Sequence, residues 1–375
     1  MEHISGPRSF LIQFAAFSAF LVLCGAPLLG AIDKLSVQEK EIVNFASPAL
    51  FAALSAVAFF VLSRTENAIR AALVASLLAA STAILVSAFG SGGATIFAVI
   101  GIGSSGLAYS AGLYATESIM RSGSYKHQPA TAAIAGAAIG AGVILWAALY
   151  SAAGALATTA SAAAISLIAI LALGRASVSE APVKSAVIKS RGRDGTILNL
   201  YMAALFTAFG VAYSHNFSAS PEGNTYSILY GPAIALFALA YMVAAKKKAL
   251  RGVVYALPVM VTIQLTLQIG ASISIANAIF EPSIIAGMPF LIIHSYQTLG
   301  RSKPVAPPHA ILAFVFIGFG AMIARTLPQI GAAMVAMVCL VAAVLLPTFL
   351  PRRELCKEDQ LKEYMEIAKE IKEGR

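Results

Sequence analysis

Long uncharged segments recur along the whole chain and are separated by short polar gaps. Within each segment the apolar residues run continuously and are rich in alanine, leucine and isoleucine. A helix that crosses a bilayer needs about 20 apolar residues, and each segment is that long or nearly so. The pattern therefore predicts twelve transmembrane spans, here numbered 1 to 12 in chain order, at about residues 9–32, 44–63, 71–90, 93–117, 130–154, 157–174, 196–215, 226–245, 252–271, 274–295, 308–327 and 329–350.

Basic residues are distributed unevenly among the gaps. Of the 26 lysines and arginines, 23 lie in the N-terminus, the even-numbered gaps and the C-terminal tail; the others are Lys34, Lys40 and Arg325. Because basic loops stay in the cytoplasm during insertion, this split predicts a multi-pass protein of the cell membrane with both termini cytoplasmic. The expected partner of the basic loops is anionic lipid of the bilayer.

Composition changes this picture little. The chain is 59% hydrophobic and 11% charged, with a mean hydropathy of +0.81, whereas soluble domains carry about 25% charged residues. Transmembrane β-strands would alternate apolar and polar residues, so the continuous runs favour helices. We therefore expect an all-α integral membrane protein. Its net charge of +9 follows from the basic cytoplasmic loops and does not imply direct nucleic-acid binding.

Disulfides, metals and cofactors are not indicated by the sequence. Cys24, Cys339 and Cys356 show no paired spacing. Gly101–Gly106 in span 4 matches G-x-G-x-x-G, but a dinucleotide site needs a preceding strand. The same stretch resembles the serine motif of rhomboid proteases, yet all five histidines fall in loops or near span ends. Close helix packing through small residues explains the stretch better, so we expect neither an enzyme nor a cofactor.

A basic polar segment at residues 175–195 divides the spans six and six. The sequence therefore predicts an N-terminal six-helix bundle at 1–174, a cytoplasmic linker at 175–195 and a C-terminal six-helix bundle at 196–350. The remaining residues, 351–375, place apolar side chains on one helical stripe. We expect an amphipathic cytoplasmic helix that lies on the membrane or binds a cytoplasmic partner.

Two groups of six spans with both ends inside and a basic central loop resemble the major facilitator superfamily, over nearly the whole chain as topology. The family's loop motif reads roughly G-x-x-x-D-R-x-G-R-[RK]. Here Ser63–Arg70 and Lys246–Arg251 occupy the two equivalent gaps, and both are basic but lack the glycines and the Asp-Arg pair. Gly136, Gly140 and Gly142 in span 5 are loosely similar to the family's antiporter motif, without its proline. The resemblance implies two six-helix bundles that rock around a midplane cavity.

Only two of the 17 acidic residues, Glu117 and Glu281, fall within spans. Glu281 lies roughly 10 Å from the outer end of span 10, where an ionised carboxylate costs several kcal/mol unless it is paired, protonated or hydrated. Asn277 precedes it by about one turn, and Gln264 and Gln268 share a face of span 9. These side chains either bond neighbouring helices or form a substrate or proton pathway, with Glu281 the strongest candidate coupling group.

Three further residues are candidates for function or for membrane anchoring. Arg325, near the outer end of span 11, either extends to the outer surface or reaches inward towards Glu281. Tyr109 in span 4 is expected to line a cavity. Glu117 lies at the cytoplasmic end of span 4 beside Arg121, which favours an interfacial charge.

These features lead to two alternative functions. The first is a secondary transporter of a small solute that works by alternating access and is driven by an ion or proton gradient. The second is a non-transporting membrane sensor or ligand-binding bundle, related to the facilitator-like N-terminal regions of LuxR-type regulators. Substrate class is limited only by the scarcity of charge within the spans, which favours an apolar or weakly polar solute.

The topology can be tested by cysteine-accessibility labelling. A cysteine placed in the loop at 215–225 should react with an impermeant reagent from the outer side, since the positive-inside rule places this loop opposite the basic gaps. Reaction from the cytoplasmic side alone would contradict the predicted orientation.

Overall fold

A computed structural model of the protein describes residues 6–23, 36–62, 95, 99, 112–117, 119–120, 127–173, 192–216, 223–247, 250–270, 273–299 and 306–350. Nearly all of these residues are helical. Within these ranges nine long helices are defined, followed by a short 3-10 turn at Leu346–Phe349. In chain order they are α1 (Gly6–Leu23), α2 (Val37–Leu62), α3 (Gln128–Leu173), α4 (Gly192–Asn216), α5 (Gly223–Lys246), α6 (Leu250–Gly270), α7 (Ile273–Leu299), α8 (Ala306–Thr326) and α9 (Gln329–Leu345).

Most described helices coincide with single predicted spans. Helices α1 and α2 correspond to spans 1 and 2, and α4 to α9 correspond to spans 7 to 12. By length and composition, five stretches in the described part of the chain are apolar enough to cross a membrane: Gln128–Trp146, Asp194–Ala212, Leu229–Lys246, Leu250–Leu267 and Gln329–Phe349. Span 3 and most of span 4 lie outside the described residues. The count of twelve therefore stays a prediction.

The structure differs from the sequence prediction at the boundary between spans 5 and 6. Helix α3 runs without a break through 46 residues and includes both spans, so its length is about 69 Å at 1.5 Å per residue. The predicted boundary at 155–156 lies in an alanine-rich stretch that has no proline. Alanine has the highest helix propensity, which explains why no turn forms there.

Contacts between helices repeat with a shift of six spans. Helix α1 packs on α3, which joins span 1 to span 5, and α4 packs on α8, which joins span 7 to span 11. Likewise α2 packs on α8, joining span 2 to span 11, and α5 packs on α3, joining span 8 to span 5. This is the pattern that two related six-helix halves would make. The division at 175–195 stays a prediction, since most of that linker lies outside the described residues. Helix α4 begins at Gly192, within the last residues of the predicted linker.

Small residues allow α3 and α5 to approach until their backbones touch. A Cβ atom added to Gly140 would lie 2.5 Å from the carbonyl oxygen of Gly231, and one added to Gly231 would lie 2.5 Å from the carbonyl oxygen of Gly140. One turn away, Gly136 packs against the Cβ of Ala238. Close contact of this kind holds helices together where lipid removes the hydrophobic driving force between them.

Glycines also bring α8 close to α2 and to α4. A Cβ on Gly318 of α8 would lie 2.7 Å from the carbonyl oxygen of Pro48 and 2.7 Å from the Cβ of Ala52, both on α2. Gly210 of α4 packs on the carbonyl of Ile317 in α8. Each contact therefore depends on the absence of a side chain.

Burial distinguishes a central helix from peripheral ones. Every residue of α7 from 281 to 294 is buried, and α7 contacts α3, α4, α5, α6 and α8. By contrast, α9 exposes large apolar side chains such as Ile330 and Val338, and α5 exposes Leu236. These exposed faces suit contact with lipid, and the burial of α7 places its polar residues in the protein interior.

The backbone contact at Gly140 predicts a specific loss of stability. Gly140→Ala should destabilise the protein by about 1–3 kcal/mol, because the added methyl group would overlap a backbone oxygen that cannot move independently. The matched control is Gly252→Ala, since a Cβ at Gly252 would meet nothing within 4 Å. That control should be neutral or stabilising by up to about 1 kcal/mol. Thermal unfolding of both variants in detergent would measure this, and equal midpoints would contradict the contact.

Candidate functional site

Glu281 lies on the central helix α7 and is only 8% exposed. It is followed by Pro282, one of two prolines inside α7, and a proline removes a backbone hydrogen-bond donor from the helix. The neighbouring residues 283–294 are all buried as well. The structure therefore places this carboxyl group in the protein interior and away from the lipid-facing surface.

Gln264, on the adjacent helix α6, lies at the same depth as Glu281. A Cβ on Gly287 of α7 would lie 2.5 Å from a methyl carbon of Leu257 on α6, so these two residues are level. Gln264 lies seven residues from Leu257, and Glu281 lies six residues from Gly287, both in the direction of the loop that joins the two helices. Measured along the helix axes, these separations are about 10.5 and about 9 Å. Gln264 is 0% exposed.

Arg325 lies on α8, which contacts α7. It lies one residue before the end of α8 at Thr326, and Glu281 lies eight residues after the start of α7 at Ile273. Arg325 is partly buried. Direct pairing with Glu281 stays a prediction.

Three other candidates from the sequence are less well defined. Asn277 and Gln268 belong to α7 and α6, but their side chains lie outside what the structure describes. Tyr109 lies outside the described residues altogether. The structure thus places Glu281 and Gln264 at a common depth on α7 and α6, and Arg325 near the end of the neighbouring α8. The roles of all six candidates stay predictions.

A buried hydroxyl pair, missed in the sequence, lies beside Glu281. The hydroxyl groups of Tyr241 on α5 and Ser283 on α7 are 2.7 Å apart and share a hydrogen bond. The ring of Tyr241 also packs edge-on against Phe290, with centroids 5.8 Å apart. The sequence signal for this pair was a tyrosine inside an apolar span, because a buried phenol requires a polar partner.

Glu117, interpreted above as an interfacial charge, is buried. It is 1% exposed, and its neighbour Thr116 is fully buried. Leu113 and Met120, within one turn on either side, belong to the apolar core. The interpretation from the sequence was therefore wrong, because a position near the end of an apolar run does not show whether another helix covers it.

An exposed cap at the start of α2 also binds a residue that is distant in sequence. Ser36 donates through its backbone N–H and its hydroxyl to the carboxylate of Glu39, at 2.9 and 2.6 Å. Thr95, distant in sequence, donates to the same carboxylate at 3.0 Å. The Ser-x-x-Glu spacing is that of a capping box and was readable from the sequence. The hydrogen bonds from Ser36 lower the pKa of Glu39 most, and the hydrogen bond from Thr95 lowers it further.

Metal ligation finds no support within the described ranges. No group of three or more histidine, cysteine, aspartate or glutamate side chains there could hold a metal ion. The polar groups on α6, α7 and α8 are instead an amide, a carboxyl and a guanidinium.

Comparisons with solved structures identify the fold. Two crystal structures of a bacterial homologue of the iron transporter ferroportin in the outward-facing state, one with soaked iron, align with TM-scores of 0.61 and 0.60 at 12% and 13% identity. Each alignment covers 91% of this chain and 97% of the other. The human organic anion transporter MFSD10 (TETRAN) aligns with a TM-score of 0.53 at 15% identity, over 91% and 95% of the two chains.

No protein-family model and no curated protein matches the sequence. The structural likeness extends over nearly the whole chain and establishes a fold of the major-facilitator type, in a multi-pass membrane protein. The resemblance inferred from topology is therefore confirmed at the level of the fold.

The Glu39 cap predicts a pH-dependent contribution to stability. Because the pKa of Glu39 is lower in the folded protein, its contribution is present above the pKa of the unfolded chain and is lost as pH falls through the folded value. Glu39→Gln should therefore lower the unfolding temperature at about pH 7 and have a smaller effect near about pH 4. Glu41→Gln, a change to an exposed residue of the same helix, is the control. A Glu39 effect independent of pH would contradict the role of its charge.

Proposed function

We propose that this protein is a secondary transporter that moves a small organic solute across the cell membrane by alternating access. The observation that carries the proposal is the placement of Glu281: a carboxyl group in the buried stretch 281–294 of α7, level with Gln264, within a transporter-type fold. In the proposed topology both termini are cytoplasmic and two six-helix bundles are joined by residues 175–195.

The contacts between the halves suit a rocking motion. The two halves meet where α3 packs on α5 and where α2 packs on α8, with glycines at both places. Interfaces without interlocking side chains let helices pivot at low cost, since few packed groups must separate. In alternating access, two repeats rock against each other around a site near the middle of the membrane.

Glu281 is the proposed coupling group. An ionised carboxylate in the interior needs a partner, a proton or water. As the outer side opens, water reaches Glu281 and protons exchange; as it closes, the carboxyl group must be protonated or paired, with Arg325 as the available cation. Solute movement and proton movement thereby become linked through one side chain.

The solute class follows from the side chains of Gln264, Glu281 and Arg325. An amide, a carboxyl group and a guanidinium provide both donors and acceptors for an organic molecule. The solved neighbours carry different cargoes according to their descriptions, iron in one case and organic anions in the other. For this chain we propose an organic solute, with iron as the alternative that the experiment must include.

Glu281→Gln provides the decisive variant. Purified protein would be screened for thermal stabilisation by a panel of organic anions, neutral organic solutes and Fe²⁺. Stabilising compounds would then be tested for uptake into proteoliposomes under an imposed pH gradient. Glu281→Gln keeps the shape and loses the ionisable group, so gradient-driven uptake should fall by roughly 10²-fold or more, as expected when an acid–base group is removed, while folding is retained.

The controls separate transport from the alternatives. Glu41→Gln changes an exposed acid and should transport like the wild type. Wild-type uptake by Glu281→Gln would remove this residue from the mechanism, and loss of folding would assign it a structural role. Stabilisation by a solute that never enters the liposomes would favour a sensor, and uptake confined to Fe²⁺ would overturn the proposed organic substrate.

A further inference from the structure

A second set of buried polar groups lies on α1, away from the site around Glu281. Gln13 is 0% exposed, and neither its amide nitrogen nor its amide oxygen has a hydrogen-bond partner. One turn earlier, the hydroxyl group of Ser9 is also buried without a partner. Burying an amide with both ends unsatisfied costs free energy. A conformation in which these groups find partners would recover that cost.

The packing of Phe17 shows which residues face Gln13. Ser9, Gln13 and Phe17 are spaced by four residues and therefore share one face of α1. The ring of Phe17 lies against Gly112, where a Cβ would not fit. This face of α1 is thus directed towards the helical segment 112–117.

Residues of that segment lie level with Gln13. On the predicted topology, spans 1 and 4 run in opposite directions. Gln13 is four residues before Phe17, and Thr116 and Glu117 are four and five residues after Gly112. These separations correspond to about 6–7.5 Å along each helix axis. Thr116 and Glu117 are both buried. Gln13, Thr116 and Glu117 therefore lie at one level near the cytoplasmic ends of both predicted spans, with Ser9 one turn further towards the cytoplasm.

We propose that Ser9, Gln13, Thr116 and Glu117 form a cytoplasmic-side binding site, closed in this conformation, that takes an ammonium or other hydrogen-bond-donating head group of the transported solute. This proposal rests on the alternating access proposed above. When the cytoplasmic side opens, water enters and the Gln13 amide gains partners. The carboxyl group of Glu117 and the oxygens of Gln13 and Ser9 then accept hydrogen bonds from the head group.

The position of this site complements that of Glu281. Glu117 belongs to span 4 and Glu281 to span 10, which correspond under the shift of six spans seen in the helix contacts. Glu117 lies towards the cytoplasmic side and Glu281 towards the outer side of the predicted topology. Each half of the predicted topology thus has a buried carboxyl group within a span, and the two are suited to act at opposite openings of the pathway.

Cysteine labelling tests the site without knowledge of the solute. In a background with Cys24→Ser, Cys339→Ser and Cys356→Ser, Gln13→Cys would be exposed to the impermeant cationic reagent MTSET in inside-out and right-side-out vesicles. Two controls are Leu11→Cys, exposed on the same helix, and Ala135→Cys, fully buried on α3.

Gln13→Cys should react from the cytoplasmic side roughly tenfold or more faster than the buried Ala135→Cys, through an open state populated at roughly 0.1–10%. Leu11→Cys gives the rate of an exposed position. Reaction of Gln13→Cys no faster than that of Ala135→Cys, or from the outer side alone, would overturn the site.

The charge of Glu117 gives a second readout. A nearby carboxylate should favour MTSET over the anionic reagent MTSES at Gln13→Cys, because it attracts the cation and repels the anion. Adding Glu117→Gln should reduce this preference several-fold while the protein stays folded. An unchanged preference would show that Glu117 does not lie at the site and would overturn the proposed ligand class.

Gln13→Leu tests whether the amide is unsatisfied in the closed state. Replacing an unpartnered polar group by an apolar group of similar shape should be neutral or stabilising. The unfolding temperature of Gln13→Leu should therefore stay the same or rise. Cytoplasmic labelling of Ser9→Cys in the same protein should become several-fold slower, because the closed state is favoured. A lower unfolding temperature would overturn the assignment.

The labelling and uptake experiments fail independently. Uptake of a solute by proteoliposomes, with Gln13→Cys unreactive from the cytoplasmic side, would overturn this site and leave transport standing. Cytoplasmic labelling in a protein that takes up none of the tested solutes would support an opening site and overturn transport.

Discussion

Inside a bilayer no water is present to bond backbone N–H and C=O groups, so each transmembrane segment must satisfy its own backbone by forming a helix. The same absence of water removes most of the hydrophobic attraction between helices, because lipid chains are as apolar as leucine side chains. The helices of this protein must therefore be held together by close packing and by a few polar contacts. The glycine contacts and the buried polar residues are consequences of this constraint.

Glycine has different uses at different contacts. Gly140 and Gly231 bring α3 and α5 into backbone contact, and Gly318 does the same for α8 against α2. In the proposed mechanism these are the contacts between the two halves, and their lack of large side chains would let one half move against the other. Polar contacts such as the hydrogen bond of Tyr241 with Ser283 join α5 to α7. The distribution suits stiff halves with movable interfaces, as the proposed mechanism requires.

Two of the regions that contain buried polar groups include an acid within a predicted span. Glu281 and Gln264 lie on α7 and α6, and Glu117 and Gln13 lie on the segment 112–117 and α1. In a membrane protein such groups are costly unless they act with a partner or with water. Two such regions, displaced towards opposite sides of the predicted topology, are what a pathway open alternately to each side would use.

The sequence by itself determined the fold class and the main candidate. Apolar runs of about 20 residues predict membrane helices because they match the thickness of the hydrocarbon layer. Glu281 stood out because an acid deep in such a run must be buried inside the protein. These inferences depend only on local composition and on the solvent.

Tertiary structure decided what depends on neighbouring helices. The alanine-rich junction of spans 5 and 6 continues as one helix, which a division by apolar length did not anticipate. Glu117 is covered by other residues although its position suggested an interface, and Gln13 became notable only when its amide proved to be buried without a partner. Burial and hydrogen bonding are properties of pairs of segments distant in the chain. Apolar length and charge along a single segment cannot specify them.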